Sequence, residues 1–250
     1  MAVDTLFSYI EHLHSPASWE TVLDAGTGSH SLEWLLRLPT KSWTAVTGDV
    51  AVEAKLKKKF ASRMTAADRL VTGNWEDPLF LHGEVYDVVV ADYLLGAVDG
   101  FSPYFQDRLF VRLRPHVGSR IYVVGLAPYP DATGDPWAKA IVEIVRLRDS
   151  CILLAGHRCY REYPMDWVLR HLESAGFTIE EARRFPIRYG PEFVNNQLNV
   201  CRRKLPYIQD GGLREGLLQA VERLRERALA LCDIHSGSPF GEDYVVYAWR

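Results

Sequence analysis

Apolar residues follow two alternating rhythms along this chain. Short apolar runs bounded by turn residues, at 20–24, 43–48, 69–72, 86–91 and 120–126, read as buried strands. Between them the apolar positions recur at helical spacing over 31–38, 51–63 and 102–113. This alternation predicts an α/β fold with a doubly wound, mostly parallel sheet. Ahead of it, Leu6, Ile10 and Leu13 mark one face of a short helix over 3–14, interrupted at Pro16.

After residue 126 the alternation breaks. APYPDATGDP is a turn-rich loop that leads into a helical stretch from Trp137 to about Leu154. PMDWVLRHLESAGF reads as a helix closed by Gly176, and TIEEARRFPI as the strand after it. Residues 190–240 hold a polar turn, a helix over 213–232 and a Gly/Ser/Pro loop, and EDYVVYAWR closes the chain as a β-prone strand. The last two strands flank an excursion and are expected to pair antiparallel at the sheet edge. The 250 residues therefore read as one domain, 1–250, with cap insertions near 127–163 and 190–240.

The first strand ends in the most informative stretch, ETVLDAGTG, residues 20–28. Gly26 and Gly28 remove side chains that would keep a ligand from the backbone, and SLEWLLRL starts a helix whose free N–H groups face the same spot. The nicotinamide-cofactor pattern G-x-G-x-x-G would need a glycine where Ser31 stands. A carboxylate at Asp24, immediately before the loop, suits a cationic ammonium and repels a pyrophosphate.

Composition narrows the partners. A net charge of −3 gives no basic field, so extended nucleic-acid binding is disfavoured and a small-molecule substrate is expected. Four cysteines, Cys151, Cys159, Cys201 and Cys232, form no CxxC pair and read as free thiols in a reducing compartment; no metal site is expected. The N-terminus lacks the basic start and apolar core of a signal peptide and no run has membrane-spanning length, so a cytoplasmic protein without a membrane partner is expected. The oligomeric state stays open.

In order and spacing these segments resemble the class I S-adenosylmethionine (SAM)-dependent methyltransferases, over most of residues 20–185 and the final strand. VLDAGTG is similar to the family's first motif, TAVTGDV places Asp49 after the second strand, VTGNWEDPLF resembles its GDAEDLPF-like stretch, and YDVVVADYLL its fourth strand. The resemblance implies a seven-stranded sheet ending in an antiparallel hairpin, with SAM as cofactor. It implies that Asp24 receives the cofactor's amino group, with Gly26, Thr27 and Gly28 lending backbone. Asp49 would take the ribose diol, Asn74 and Trp75 would frame the adenine, and Asp92 and Tyr93 would lie where the methyl is presented. The chain departs from the family at His30, in place of a third glycine, and at Asn74, which keeps a carbonyl but drops a charge. It also lacks the two prolines of the (N/D)PPY motif.

Acceptor candidates are drawn from segments expected to rim the crevice. His30 and His157 are candidate general bases, and Tyr93 and Tyr160 candidate catalytic phenols. Tyr129, Tyr163 and Tyr189 could shape a pocket, while Arg158, Arg161 and Arg188 could hold a carboxylate. NNQLN, residues 195–199, could bond a polar substrate or form a capped turn. The expected activity is methyl transfer to an O, N or S atom of a small polar or carboxylate-bearing molecule. A protein side-chain methyltransferase and a non-catalytic SAM-fold binding protein are the alternatives.

Overall fold

The computed structural model describes residues 5–131, 133–235 and 238–250. Residues 3 and 4 of the expected first helix, Ala132 in the turn-rich loop and residues 236–237 of the last loop lie outside them. Among the described residues seven strands form one sheet in the order β3-β2-β1-β4-β5-β7-β6. They are β1 (Thr21–Asp24), β2 (Ser42–Thr47), β3 (Arg69–Thr72), β4 (Tyr86–Asp92), β5 (Val117–Leu126), β6 (Thr178–Arg188) and β7 (Pro239–Trp249). β1 to β5 pair in parallel, and β7 runs antiparallel to β5, with Ile121 opposite Ala248 and Val124 opposite Val245.

Why the strands read as unbroken apolar runs is visible in the packing: neighbouring residues serve opposite faces, and both faces are covered. Leu23, Val89, Ala91, Ile121 and Val123 pack under α5 (Gln106–Leu113) and α7 (Met165–Ser174). Val22, Val88, Val90, Tyr122 and Val124 pack under α1 (Thr5–His14), α2 (Ser29–Leu35) and α3 (Val50–Phe60). Connections step outward from β1 to β3 on one side and from β4 to β5 on the other. The crevice of such a sheet opens between β1 and β4, at their carboxyl ends.

The chain folds as two compact units. The first comprises residues up to Ala127, Tyr160–Phe185 and Asp243–Arg250, and holds the elements above, save residues 186–188 of β6 and 239–242 of β7, together with α4 (Leu94–Ala97). The second comprises Pro128–Cys159 and Pro186–Glu242, and is built from α6 (Pro136–Leu154), α8 (Pro191–Lys204) and α9 (Gly211–His235). Ile141 and Ile144 of α6, Val194 and Leu198 of α8, and Val221 and Leu224 of α9 make its core. Cys151, Cys201 and Cys232 lie in that core, and all four cysteines are buried. None of the described helices is long and apolar enough to cross a membrane.

Two expectations need correction. The helix expected over 102–113 starts only at Gln106, because Pro103 is followed by Tyr104 in the left-handed region at φ 67°; a short α4 precedes it. The polar turn expected around NNQLN is the middle of α8. Pro191 fits its first turn, Val194, Leu198 and Cys201 form its buried stripe, and Arg202, Arg203 and Lys204 complement the dipole at its end.

Candidate functional site

Parallel strands bring their carboxyl ends to one edge, and in the first unit that edge collects most of the expected cofactor residues. Asp24 ends β1, beside Ala45 of β2 and Val90 of β4. The loop after it stays tied to both neighbours: the Ala25 N–H donates to the Val90 carbonyl at 2.8 Å and the Thr27 N–H to the Val46 carbonyl at 2.6 Å. Gly26 is needed for packing, since a Cβ there would stand 2.9 Å from Leu94 Cδ1. Gly28 is different. A Cβ there would meet nothing within 4 Å, so its bare backbone faces open space.

Asp24 is 1% exposed, and its Oδ1 accepts the Gly26 N–H at 3.4 Å. Among the described residues its Oδ2 is buried without a hydrogen-bond partner. Burial pushes this carboxyl up to about 6, against the lowering pull of the Thr27 and Ser31 hydroxyls and the Gly26 N–H. A buried acceptor left unpaired costs about 1–3 kcal/mol. The sequence therefore places at the head of the loop an oxygen that lacks a donor.

Asp49 follows β2, is exposed, and caps α3: its Oδ1 accepts the N–H groups of Ala51 at 2.7 Å and Val52 at 3.4 Å. Beside it the Phe101 ring lies on Gly48, where a Cβ would be 2.7 Å from the ring. Asn74 follows β3. Its Oδ1 accepts from the Glu76 N–H at 3.0 Å and the Ser102 hydroxyl at 2.7 Å, so the carbonyl expected to face an adenine amine is already engaged. Trp75 also departs from expectation. Its indole is 3% exposed and donates to the Ala25 carbonyl at 2.7 Å, bracing the glycine loop from within the core instead of walling open space.

Asp92 ends β4, and Tyr93 follows in the left-handed region at φ 47°. That conformation costs a tyrosine about 1–3 kcal/mol. It is held because the Tyr93 N–H donates to Val124 at 3.0 Å while its carbonyl accepts from Ala97 at 3.1 Å. Tyr160 is 56% exposed, and its ring lies near Gly100. Tyr163 packs on Trp167 at 4.3 Å between ring centres, and Arg161, two residues earlier, is exposed.

The remaining candidates are His30 in the first unit and five residues of the second. His30 is exposed near the start of α2, with its ring 5.2 Å from Phe7, and lines a groove of about 840 Å³ along α1 and α2. His157, Arg158 and Arg188 are exposed residues of the second unit, and the His157 ring meets Tyr207 edge-on at 5.2 Å. Tyr129 and Tyr189, in the same unit, hydrogen-bond each other through their hydroxyls. The NNQLN side chains are used structurally: Arg225 donates to Asn195 and Asn199, and Arg148 to Gln197. Sequence reasoning missed Phe101, whose ring reaches Gly48 from a segment far along the chain.

No protein-family model and no curated protein matches this sequence. Solved structures do. A Bacillus halodurans protein provisionally named a methyltransferase is 15% identical, with a TM-score of 0.61 over 98% of both chains. The YcgJ protein of Bacillus subtilis is 13% identical, with a TM-score of 0.59 over 98% of this chain and 97% of that one. A mycolic acid cyclopropane synthase solved with SAH and CTAB is 13% identical, with a TM-score of 0.54 over 93% of this chain and 78% of that one. The chain has the class I SAM-dependent methyltransferase fold. Within that methyltransferase fold the Asp24 loop is the turn after the first strand, and Asp92–Tyr93 the end of the fourth.

Proposed function

We propose that this protein is a SAM-dependent methyltransferase acting on a small polar molecule. The observation that carries the reading is the Asp24 Oδ2 atom, buried without a donor at the head of an open glycine turn. An ammonium supplies what that oxygen lacks, so the residues present fit the amino-acid end of SAM. SAM, when bound, supplies an electrophilic methyl group on a sulfonium.

The protein's own share is binding, alignment and exclusion of water. Asp24 would hold the ammonium, Gly28 would let the ligand approach the backbone, and Trp75 would keep the turn in place through Ala25. Asp49 would offer the ribose hydroxyls its carboxylate while one of its oxygens caps α3. Asn74 would present its amide N–H₂, because its carbonyl is engaged by Glu76 and Ser102. Phe101, on Gly48 beside Asp49, offers an aromatic face to a ring bound there. Orientation of a nucleophile at the end of β4 could contribute on the order of 7–11 kcal/mol to the acceleration.

The test is transfer of label from methyl-tritiated SAM to a pool of small metabolites by the full chain, with SAH release as the second readout. Transfer that disappears in Asp24→Ala supports the reading; absence of SAM binding by calorimetry removes it.

A further inference from the structure

The two edges of the sheet differ in character. β3 is four residues long, and its Arg69 is held by Glu84 at 2.9 Å. β6 is eleven residues long, and among the described residues β7 is its only neighbour in the sheet. Glu180, Glu181, Arg183 and Arg184 are exposed along it. A long exposed edge strand presents a row of backbone N–H and C=O groups to any strand that can lie beside it.

Side chains in the middle of β6 are fixed in place. Glu181, Arg183 and Phe185, alternate residues on one face, all meet Tyr9 of α1. The Tyr9 hydroxyl donates to Glu181 Oε1 at 3.2 Å, the Arg183 guanidinium lies 5.0 Å from the centre of the Tyr9 ring, and the Phe185 ring meets that ring edge-on at 5.2 Å. Arg184, on the other face, donates to Asp166 of α7 at 3.1 Å. A carboxylate accepts several hydrogen bonds and a guanidinium donates several, so these contacts leave each group able to bind a second partner. Charge along the stretch changes sign once. Reading Glu180, Glu181, Ala182, Arg183 and Arg184 backwards exchanges every acid for a base.

We propose that β6 is the interface for a second copy of this chain, the two β6 edges pairing antiparallel about a two-fold axis beside Ala182 so that both sheets join into one. In this register Arg183 faces the partner's Glu181 and Arg184 faces the partner's Glu180, and the symmetry makes each contact twice. Charge excludes the neighbouring registers. A two-fold axis perpendicular to the sheet keeps like faces together, so the pairing can shift only by moving that axis from one residue to the next. Moved to Glu181, it sets two carboxylates against each other; moved to Arg183, it sets two guanidinium groups together. Pro186, which has no N–H to donate, lies just past the stretch and bounds the pairing. The inference is independent of the methyl-transfer reading.

Sedimentation velocity on the full chain tests this, with circular dichroism of each variant as the check on folding. Wild type is expected to dimerise. Glu181→Arg and Arg183→Glu should each weaken self-association by about tenfold or more, since each turns both copies of an attracting pair into a repelling one. Mixed in equal amounts, the two variants should associate again, because each then meets its charge complement across the axis. Glu180→Arg and Arg184→Glu, which spare the Tyr9 contacts, repeat both arms where either of the first two variants is unfolded. A wild type that stays monomeric up to about 0.1 mM, a dimer indifferent to these substitutions, or a mixture of folded complementary variants that fails to associate overturns the proposal.

Discussion

Replacing Asp24 by asparagine should make the ligand-free protein more stable at high pH. A carboxyl raised from an ordinary 3.8 to about 6 is disfavoured in its ionised form by about 3 kcal/mol, at about 1.4 kcal/mol per pH unit. The sign follows from linkage. The folded state binds this proton more tightly than the unfolded one, so the stability it contributes is complete below about pH 4 and lost as pH rises through about 6. Asparagine stays neutral throughout. Asp24→Asn should therefore gain up to about 3 kcal/mol over wild type at pH 8 and nothing at pH 4. Urea denaturation of both proteins at both pH values gives a double difference in which other carboxylates cancel. A gain of equal size at the two pH values, or a loss at pH 8, would show that the carboxylate is already satisfied, and the argument for a cationic ligand would go with it.

Other expectations are simpler. Trp75→Phe removes the donor to the Ala25 carbonyl and should cost about 1–3 kcal/mol by thermal unfolding, with weaker SAH binding if the brace positions the loop. Gln106→Met removes two unpartnered polar atoms from the interior and should raise the midpoint of urea unfolding; a fall would reveal a partner for the carboxamide. Gly125→Ala would drive a methyl into the buried Tyr244 hydroxyl and ring, and overpacking of this kind costs about 1–3 kcal/mol in the same assay.

How much was legible in the sequence divides along a physical line. Val22 and Leu23, Val88 to Ala91 and Ile121 to Val124 announce strands because a sheet covered on both faces demands apolar residues at every position, not every other one. Asp24 and its two glycines stand out because a tight turn and a buried acid are rare together. What adjacency cannot reveal is which polar atoms find partners. Asn74 reads as an open carbonyl until Ser102, 28 residues on, is seen to occupy it. Trp75 reads as a ligand wall until its N–H is found bonded to Ala25. Arg158 and Arg161 are close in the chain yet belong to different compact units. The stripe Val194, Leu198 and Cys201 after Pro191 was a readable helix signal hidden by the polar NNQLN letters.

If Asp24 meets a positive charge, the amino group of a bound ligand should govern its affinity. Calorimetry at pH 8 should show SAH binding to the full chain, and the SAH analogue lacking the α-amino group binding about tenfold to hundredfold more weakly, the value of a hydrogen bond to a charged group. Equal affinity for the two would place the ammonium away from Asp24.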